Sequence, residues 1–335
     1  MSVAIVGGGI IGLAVGWRLL ERGVDVTVFD DGRLGAWHVA AGMLAPSGES
    51  AHEQEALARL MAAAGERWPA FARELGVEIG FDVTGTLSLA MTADDLAAAD
   101  RVWTRHRLAR LRPSELRERE PALSPRVRAG VYSANEWQVD PRRLVAVLRD
   151  RLAGRIVAKR VESLSEVDAG TVVVAAGCGT AGLTGLPVRP VKGQVLRLRG
   201  EPGLLRHVLD ATVDGRHVYV VPRADGEVVV GATQEERTDS LVTAGGVHDL
   251  LRAAIDLVPA LAELELAETT VGHRPGTPDN APLLGRLDGD DRVIVAAGHF
   301  RNGVLLAPIT ADLIAGLVVG DEPDPLLAHF APGRF

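Results

Sequence analysis

Four clusters in this 335-residue chain combine residue types and spacing suited to chemistry. The first is Gly7-Gly8-Gly9-Ile10-Ile11-Gly12, which follows the apolar run Val3 to Val6 and precedes a second run, Val26 to Phe29, closed by Asp30. The G-x-G-x-x-G spacing suits a strand, turn and helix that cradle a pyrophosphate. Gly7 makes the bend, Gly9 lets backbone approach the anion, and Gly12 lets helix and sheet close up. The helix N-terminus adds free N–H groups and positive potential. An acid placed like Asp30 accepts hydrogen bonds from an adenosine ribose and disfavours a 2′-phosphate, so the expected ligand is FAD or NAD rather than NADP.

The second cluster is His217-Val218-Tyr219. Residues two apart on a strand share a face, so His217 and Tyr219 are either solvent-exposed together or line a pocket together. The third, Gly272-His273-Arg274-Pro275-Gly276-Thr277-Pro278-Asp279, is turn-rich and basic. Pro275 keeps the backbone of Arg274 extended, which suits a guanidinium that meets a carboxylate bidentately; a plain surface arginine fits the same letters. The fourth runs Gly298-His299-Phe300-Arg301-Asn302-Gly303-Val304-Leu305-Leu306-Ala307-Pro308, leaving an apolar strand and entering the apolar helix 304–319. Ligands gather at strand ends in such sheets, and a helix N-terminus there favours negative charge, such as that on a reduced flavin ring.

The elements that must position these clusters are legible from periodicity. A helix from Ile10 stops near Gly23, and Leu57, Leu60, Met61, Ala64, Trp68 and Phe71 recur at helical steps over 53–75. Ala40 to Pro46 is a small-residue segment able to pass close to a flat ligand. A hairpin is expected over 81–91 around Thr84-Gly85, a helix over 93–107 capped by Thr92, a short charged helix between Pro113 and Pro125, and a helix begun by Asp140-Pro141. Val172-Val-Val-Ala-Ala-Gly177 and Val293-Ile-Val-Ala-Ala-Gly298 read as strands covered on both faces, joining the first two strands in one parallel sheet. Cys178, just after the first of them, reads as a small buried filler. Between them, Lys192 to Arg199 alternates polar and apolar residues, and the runs 217–222 and 227–231 flank Asp225-Gly226, a hairpin signal. A helix follows over 247–257, and Thr269 to Gly272 leads back towards the first sheet.

The fold class is therefore α/β: a Rossmann-like domain of parallel sheet and helices, discontinuous in sequence, plus an α+β domain with a mainly antiparallel sheet. The boundaries are 1–80, 139–187 and 270–335 for the first and 81–138 and 188–269 for the second. With 47% hydrophobic and 24% charged residues the chain can bury a large interior. Its net charge of −8 argues against a general nucleic-acid or membrane surface. No apolar run reaches membrane length and the first strand begins at Ser2, so a cytoplasmic location is expected. A single cysteine excludes an internal disulfide and a cysteine-based metal cluster, and no metal is expected. All but Lys159 and Lys192 of the 36 basic residues are arginine, which lowers the information in any one of them, whereas Tyr132 and Tyr219 are the only tyrosines.

Taken in order, Gly7 to Gly12, Ala41-Gly42-Met43-Leu44, His217 to Pro222, Gly231-Ala-Thr233, Arg274 to Thr277 and Gly298 to Pro308 resemble the glycine oxidase branch of the D-amino-acid oxidase family, the type associated with thiamine biosynthesis. The resemblance covers nearly the whole chain, and the C-terminal block is its most specific part. It implies non-covalent FAD that takes a hydride from the Cα of glycine, sarcosine or a small D-amino acid. The imine hydrolyses to an oxo acid and ammonia, and O2 is reduced to H2O2. It also implies a homo-oligomer, a tetramer by family. Carried over by motif, Ile10, Ile11, Asp30, Asp31, Ala41, Gly42 and Met43 would contact FAD, as would Gly177. Val161 would lie beside the adenine. Gly298, His299, Phe300, Arg301, Asn302, Gly303, Val304 and Leu305 would wrap the flavin. Arg274 would clamp the substrate carboxylate, with Arg301 next to it and Tyr219 and His217 completing the pocket. Two departures stand out. Gln234 replaces a methionine after Gly231-Ala-Thr, which bears on substrate preference if it borders the pocket. The segment 32–39 lacks Ser/Thr character, so its FAD contacts would be backbone ones. The alternatives are a D-amino-acid dehydrogenase with a quinone or carrier as acceptor, and a flavin-binding interaction module without turnover, against which the acidic balance and the two arginines speak.

Overall fold

A computed structural model describes residues 2–46 and 54–335. Six strands form the first sheet, in the order Leu283–Leu287, Asp290–Ala297, Thr171–Val174, Ser2–Val6, Asp25–Asp30, Ile156–Ala158. All neighbours are parallel except the first pair. The two near-identical apolar runs thus lie side by side, Val293 opposite Val172 and Val295 opposite Val174. Continuous apolar strands require cover on both faces. One face packs with helices Ile10–Glu21, Glu55–Leu75, Pro141–Arg151 and Gly303–Val319 in a single core around Ile5, Val28 and Ile294. The opposite face buries Ala4, Val6, Val172, Val174, Val293 and Val295.

Local signals fix the helix starts. Asp140 accepts from the N–H groups of Arg142 (2.8 Å) and Arg143 (3.3 Å) ahead of Pro141, and Thr92 and Asp95 form a reciprocal capping box for Ala93–Arg105. The helix expected from residue 53 is described from Glu55; its first expected residue, Glu53, lies outside the described residues. Trp68 on this helix donates its indole N–H to the Leu305 carbonyl (2.9 Å), tying it to the Gly303–Val319 helix.

Eight strands form the second sheet, in the order Glu265–Gly276, Arg189–Arg199, Glu227–Gly231, Arg216–Pro222, Val208–Val213, Thr86–Ala90, Ala129–Ser133, Arg110–Leu111. The Asp225-Gly226 hairpin forms as expected, with Gly226 at φ 86. Helix Ala244–Leu257 covers one face through Leu250, Ala253, Ala254 and Leu257. On the other face Val195, Val208, Val221 and Val229 pack with Ala41.

Two expectations are corrected, and one alternating strand proves to bury polar residues. Residues 81–91 are no hairpin: Thr86–Ala90 pairs in parallel with Val208–Val213 and antiparallel with Ala129–Ser133. At Gly85 the backbone turns at φ 99, beneath the Tyr132 ring, and Asp82 accepts from the Thr84 N–H, so the preceding residues peel away. In the alternating run Lys192 to Arg199 the polar positions before Arg199 are buried along with the apolar ones. Lys192, Gln194 and Arg197 are buried, held by Asp239 (2.8 Å), Glu235 (2.7 Å) and Glu227 respectively. Finally, Thr269 to Gly272 belongs to the second sheet, whose edge strand continues to Gly276. Among the described residues no helix is long and apolar enough to cross a membrane.

Candidate cofactor and substrate site

A cavity of about 960 Å³ lies across the carboxyl ends of the parallel strands and reaches the inner face of the second sheet. Crevices at strand carboxyl ends are where open α/β sheets bind ligands, and this volume is at the upper end for a single ligand site. Every site residue expected from sequence lines it except Gly12. A Cβ at Gly12 would collide with the Gly7 carbonyl, so glycine there serves the turn rather than a ligand. Gly7, at φ 114, is closed off by the Ala175 carbonyl in the same way, and a side chain at Gly8 would run into Asp30. The turn is thus pressed between its own helix and both neighbouring strands.

The residues present fit a dinucleotide. Gly9 caps helix Ile10–Glu21 without a side chain, and no acid sits in its first turn, so its positive end is left to an anion. Asp30 is held by Arg149 and by the Gly32 N–H (3.2 Å), which keep its carboxylate at the end of its strand beside the turn. Trp37, from the short helix Ala36–Val39, lies 3.6 Å from where a Gly9 Cβ would be and lines the cavity, so the segment 32–39 offers a side chain there as well as the expected backbone.

Arginines from the second sheet and from helix Pro141–Arg151 fix the small-residue segment and the residues just before it. Arg223, 9% exposed, donates to the Ala41 carbonyl and to Gln138 Oε1 (2.5 Å). Burial, opposed by Asp140, lowers its pKa to about 10, so it stays a cation. Arg197 and Arg142 both donate to the His38 carbonyl, at 3.4 and 2.8 Å. Gly42, at φ 78, has the Val139 carbonyl against it, which leaves no room for a side chain. Ala41, Gly42 and Met43 are thereby fixed along the cavity.

Glycines in the second sheet floor the other end. The Arg274 guanidinium lies over Gly193 and donates to the carbonyls of Thr233 (3.1 Å) and Lys192 (3.4 Å). The Tyr219 phenol lies over Gly231, which pairs with Tyr219 and with Val195. Two side chains able to donate to an anion therefore lie flat in adjacent troughs of one face. His217 stands edge-on to Tyr219, ring centroids 6.4 Å apart, with Nε2 2.5 Å from Asp210 Oδ1 on the neighbouring strand.

The C-terminal cluster closes the site. Gly298 turns at φ 73 with the Thr277 methyl against it, and the Phe300 N–H donates to the Pro275 carbonyl (3.0 Å), joining the end of the Arg274 strand to the end of Asp290–Ala297. Asn302 precedes helix Gly303–Val319, whose first turn carries no acid. His299 is buried with Nε2 3.0 Å from Thr310 Oγ1, and burial lowers its pKa to about 3, so it is neutral. Arg301 is exposed at the cavity rim.

Two expectations change here. Cys178 is half-buried and lines the cavity rather than filling a core, and burial pushes its thiol up to about 11. Gln234 is exposed and is not among the cavity's lining residues. Sequence reasoning missed Gly193, Asp210 and Trp37. Gly193 had a usable signal, since a glycine inside a strand marks a close approach by another group. Asp210 had one too, since Asp214-Gly215 is a hairpin signal that pairs Val208–Val213 with Arg216–Pro222 and sets Asp210 opposite Tyr219.

Known proteins match this arrangement. Over 99% of its length the chain is 35% identical to a glycine oxidase from Geobacillus kaustophilus, covering 97% of that protein. The crystal structure of glycine oxidase from the same organism superposes with a TM-score of 0.91 at 33% identity, covering 99% of this chain and 98% of that one. A bifunctional ThiO/ThiG protein from Synechocystis is 35% identical over the whole chain, which spans 54% of its length; the chain likewise spans about half of two further cyanobacterial relatives of that name. The pattern of the FAD dependent oxidoreductase family matches residues 2–317, and the chain belongs to that family.

Proposed function

We infer that the chain is a glycine oxidase: glycine, O2 and water give glyoxylate, ammonia and H2O2, with sarcosine and small D-amino acids as further substrates. The observation that carries this reading is the pair of anion-directed side chains, Arg274 and Tyr219, laid over Gly193 and Gly231 beside the strand ends that suit a dinucleotide. Full-length similarity to glycine oxidase supports it. The cyanobacterial relatives support a further role, supplying thiazole synthesis for thiamine.

On this reading the turn Gly7 to Gly12 and Asp30 hold the adenosine and pyrophosphate of FAD, with Val161 beside the adenine. Ala41 to Met43 and Gly298 to Leu305 hold the flavin. When bound, FAD supplies the acceptor for the hydride that leaves Cα. Arg274 anchors the substrate carboxylate, Tyr219 donates to it, and His217 bounds the pocket on the side of the amine. Neutral His299 would bring no charge to the part of the cavity that would hold the flavin. The site contributes mainly by holding Cα in one orientation, and positioning of this kind is worth several kcal/mol. Residues 1–80, 139–187 and the part of 270–335 that follows the Glu265–Gly276 strand act as the cofactor-binding domain, and the remainder, with that strand, as the substrate domain. Cytoplasmic location and a homo-oligomeric, tetrameric state belong to the same reading, the latter checked by sedimentation.

The test is a panel of glycine, sarcosine and D-amino acids followed by H2O2 release and O2 uptake. One H2O2 per O2 consumed, with glycine among the good substrates, is the expected result. Flavin reduction by glycine without peroxide would place the electrons on another acceptor.

A further inference from the structure

The cavity wall formed by the second sheet carries one acid that the roles above leave unassigned. Asp210 stands opposite Tyr219 in the pairing of Val208–Val213 with Arg216–Pro222, on the face that also presents His217. Its Oδ1 lies 2.5 Å from His217 Nε2, and both side chains line the cavity. The other lining carboxylates, Asp30, Asp31 and Glu162, follow strands of the first sheet, so among the described residues Asp210 alone supplies negative charge on the wall that holds Arg274. An amino acid arrives as a zwitterion. A site with a guanidinium and a carboxylate on one face complements both of its charges, whereas a site with arginine alone would accept any small carboxylate equally.

We propose that Asp210 is a specificity-determining residue: with His217 it receives the substrate's ammonium group, so the site selects amino acids over carboxylates that lack an amine. The assignment rests on the reading that Arg274 holds the substrate carboxylate. Asp210→Asn preserves shape and a hydrogen bond to His217 while removing the charge. Loss of a charge-assisted contact of this kind amounts to roughly a ten- to hundredfold effect.

The experiment compares the holoenzyme and D210N with two ligands, glycine and glycolate, which differ by an ammonium and a hydroxyl. The KM for glycine should rise at least about tenfold in D210N, while the inhibition constant of glycolate should change less than about twofold. The glycolate constant also reports that the variant's site is intact. An unchanged KM, or equal weakening of both ligands, overturns the proposal. Should glycine fail to reduce the wild-type flavin, the glycine oxidase reading falls, and glycine is then titrated as a ligand; absence of glycine binding alongside glycolate binding overturns the proposal. The same two constants, read from the flavin difference spectrum, decide the role of Asp210 separately.

Discussion

At the scale of single residues, the account depends on side chains seated over glycines. A methyl at Gly193 would collide with the Arg274 guanidinium, so Gly193→Ala should displace that group without disturbing the sheet beneath it. Steady-state kinetics should show the KM for glycine rising about tenfold or more, with little change in melting temperature. Removing the group altogether in Arg274→Ala removes a charge-assisted contact worth about 1.5–3 kcal/mol, an increase in KM of roughly ten- to a hundredfold. An unchanged KM in R274A would take Arg274 out of the site. The sequence singled out Arg274 from the proline behind it, yet it could not separate this arginine from a surface one. What separates them is Gly193, some eighty residues earlier, brought beneath the guanidinium by pairing of the two strands.

At the scale of elements, the N-terminal turn was the most legible feature because its interactions are local: strand, glycines, helix and acid follow one another within thirty residues. Gly12 shows how tightly it is built, since a Cβ there meets the Gly7 carbonyl. Gly12→Ala should strain the turn by about 1–3 kcal/mol, weakening FAD binding about 5- to 150-fold; fluorescence titration of the apoprotein measures this. Gly170→Ala, where a methyl meets nothing within 4 Å, is the control and should bind FAD normally. The second sheet was less legible. Alternation marked Lys192 to Arg199 as a strand of an antiparallel sheet, but the burial of Lys192, Gln194 and Arg197 was not legible, because their partners, Asp239, Glu235 and Glu227, lie thirty or more residues away. The parallel pairing of Thr86–Ala90 with Val208–Val213 spans over a hundred residues and left no local mark, so a hairpin was expected in its place.

At the scale of the whole molecule, the C-terminal cluster links the two sheets and makes stability sensitive to pH. Burial keeps His299 neutral down to about pH 3, whereas an unfolded chain protonates it near its ordinary value of 6.5. Between those values the unfolded state binds the extra proton, so stability falls as pH falls, by up to about 1.4 kcal/mol per pH unit from this group. Thermal unfolding at pH 7 and pH 5, at matched FAD, should show a smaller loss for His299→Gln than for the parent chain. Both ends of the chain, the glycine turn and the cluster from Gly298 to Leu305, border one cavity with the Arg274 face of the second sheet. The central claim is that this cavity brings glycine and FAD together for oxidation. An anaerobic titration of the holoenzyme with glycine tests it most directly. The account predicts that the flavin's yellow absorbance is bleached and returns when air is admitted, with H2O2 released; absorbance that stays unchanged at saturating glycine would contradict it.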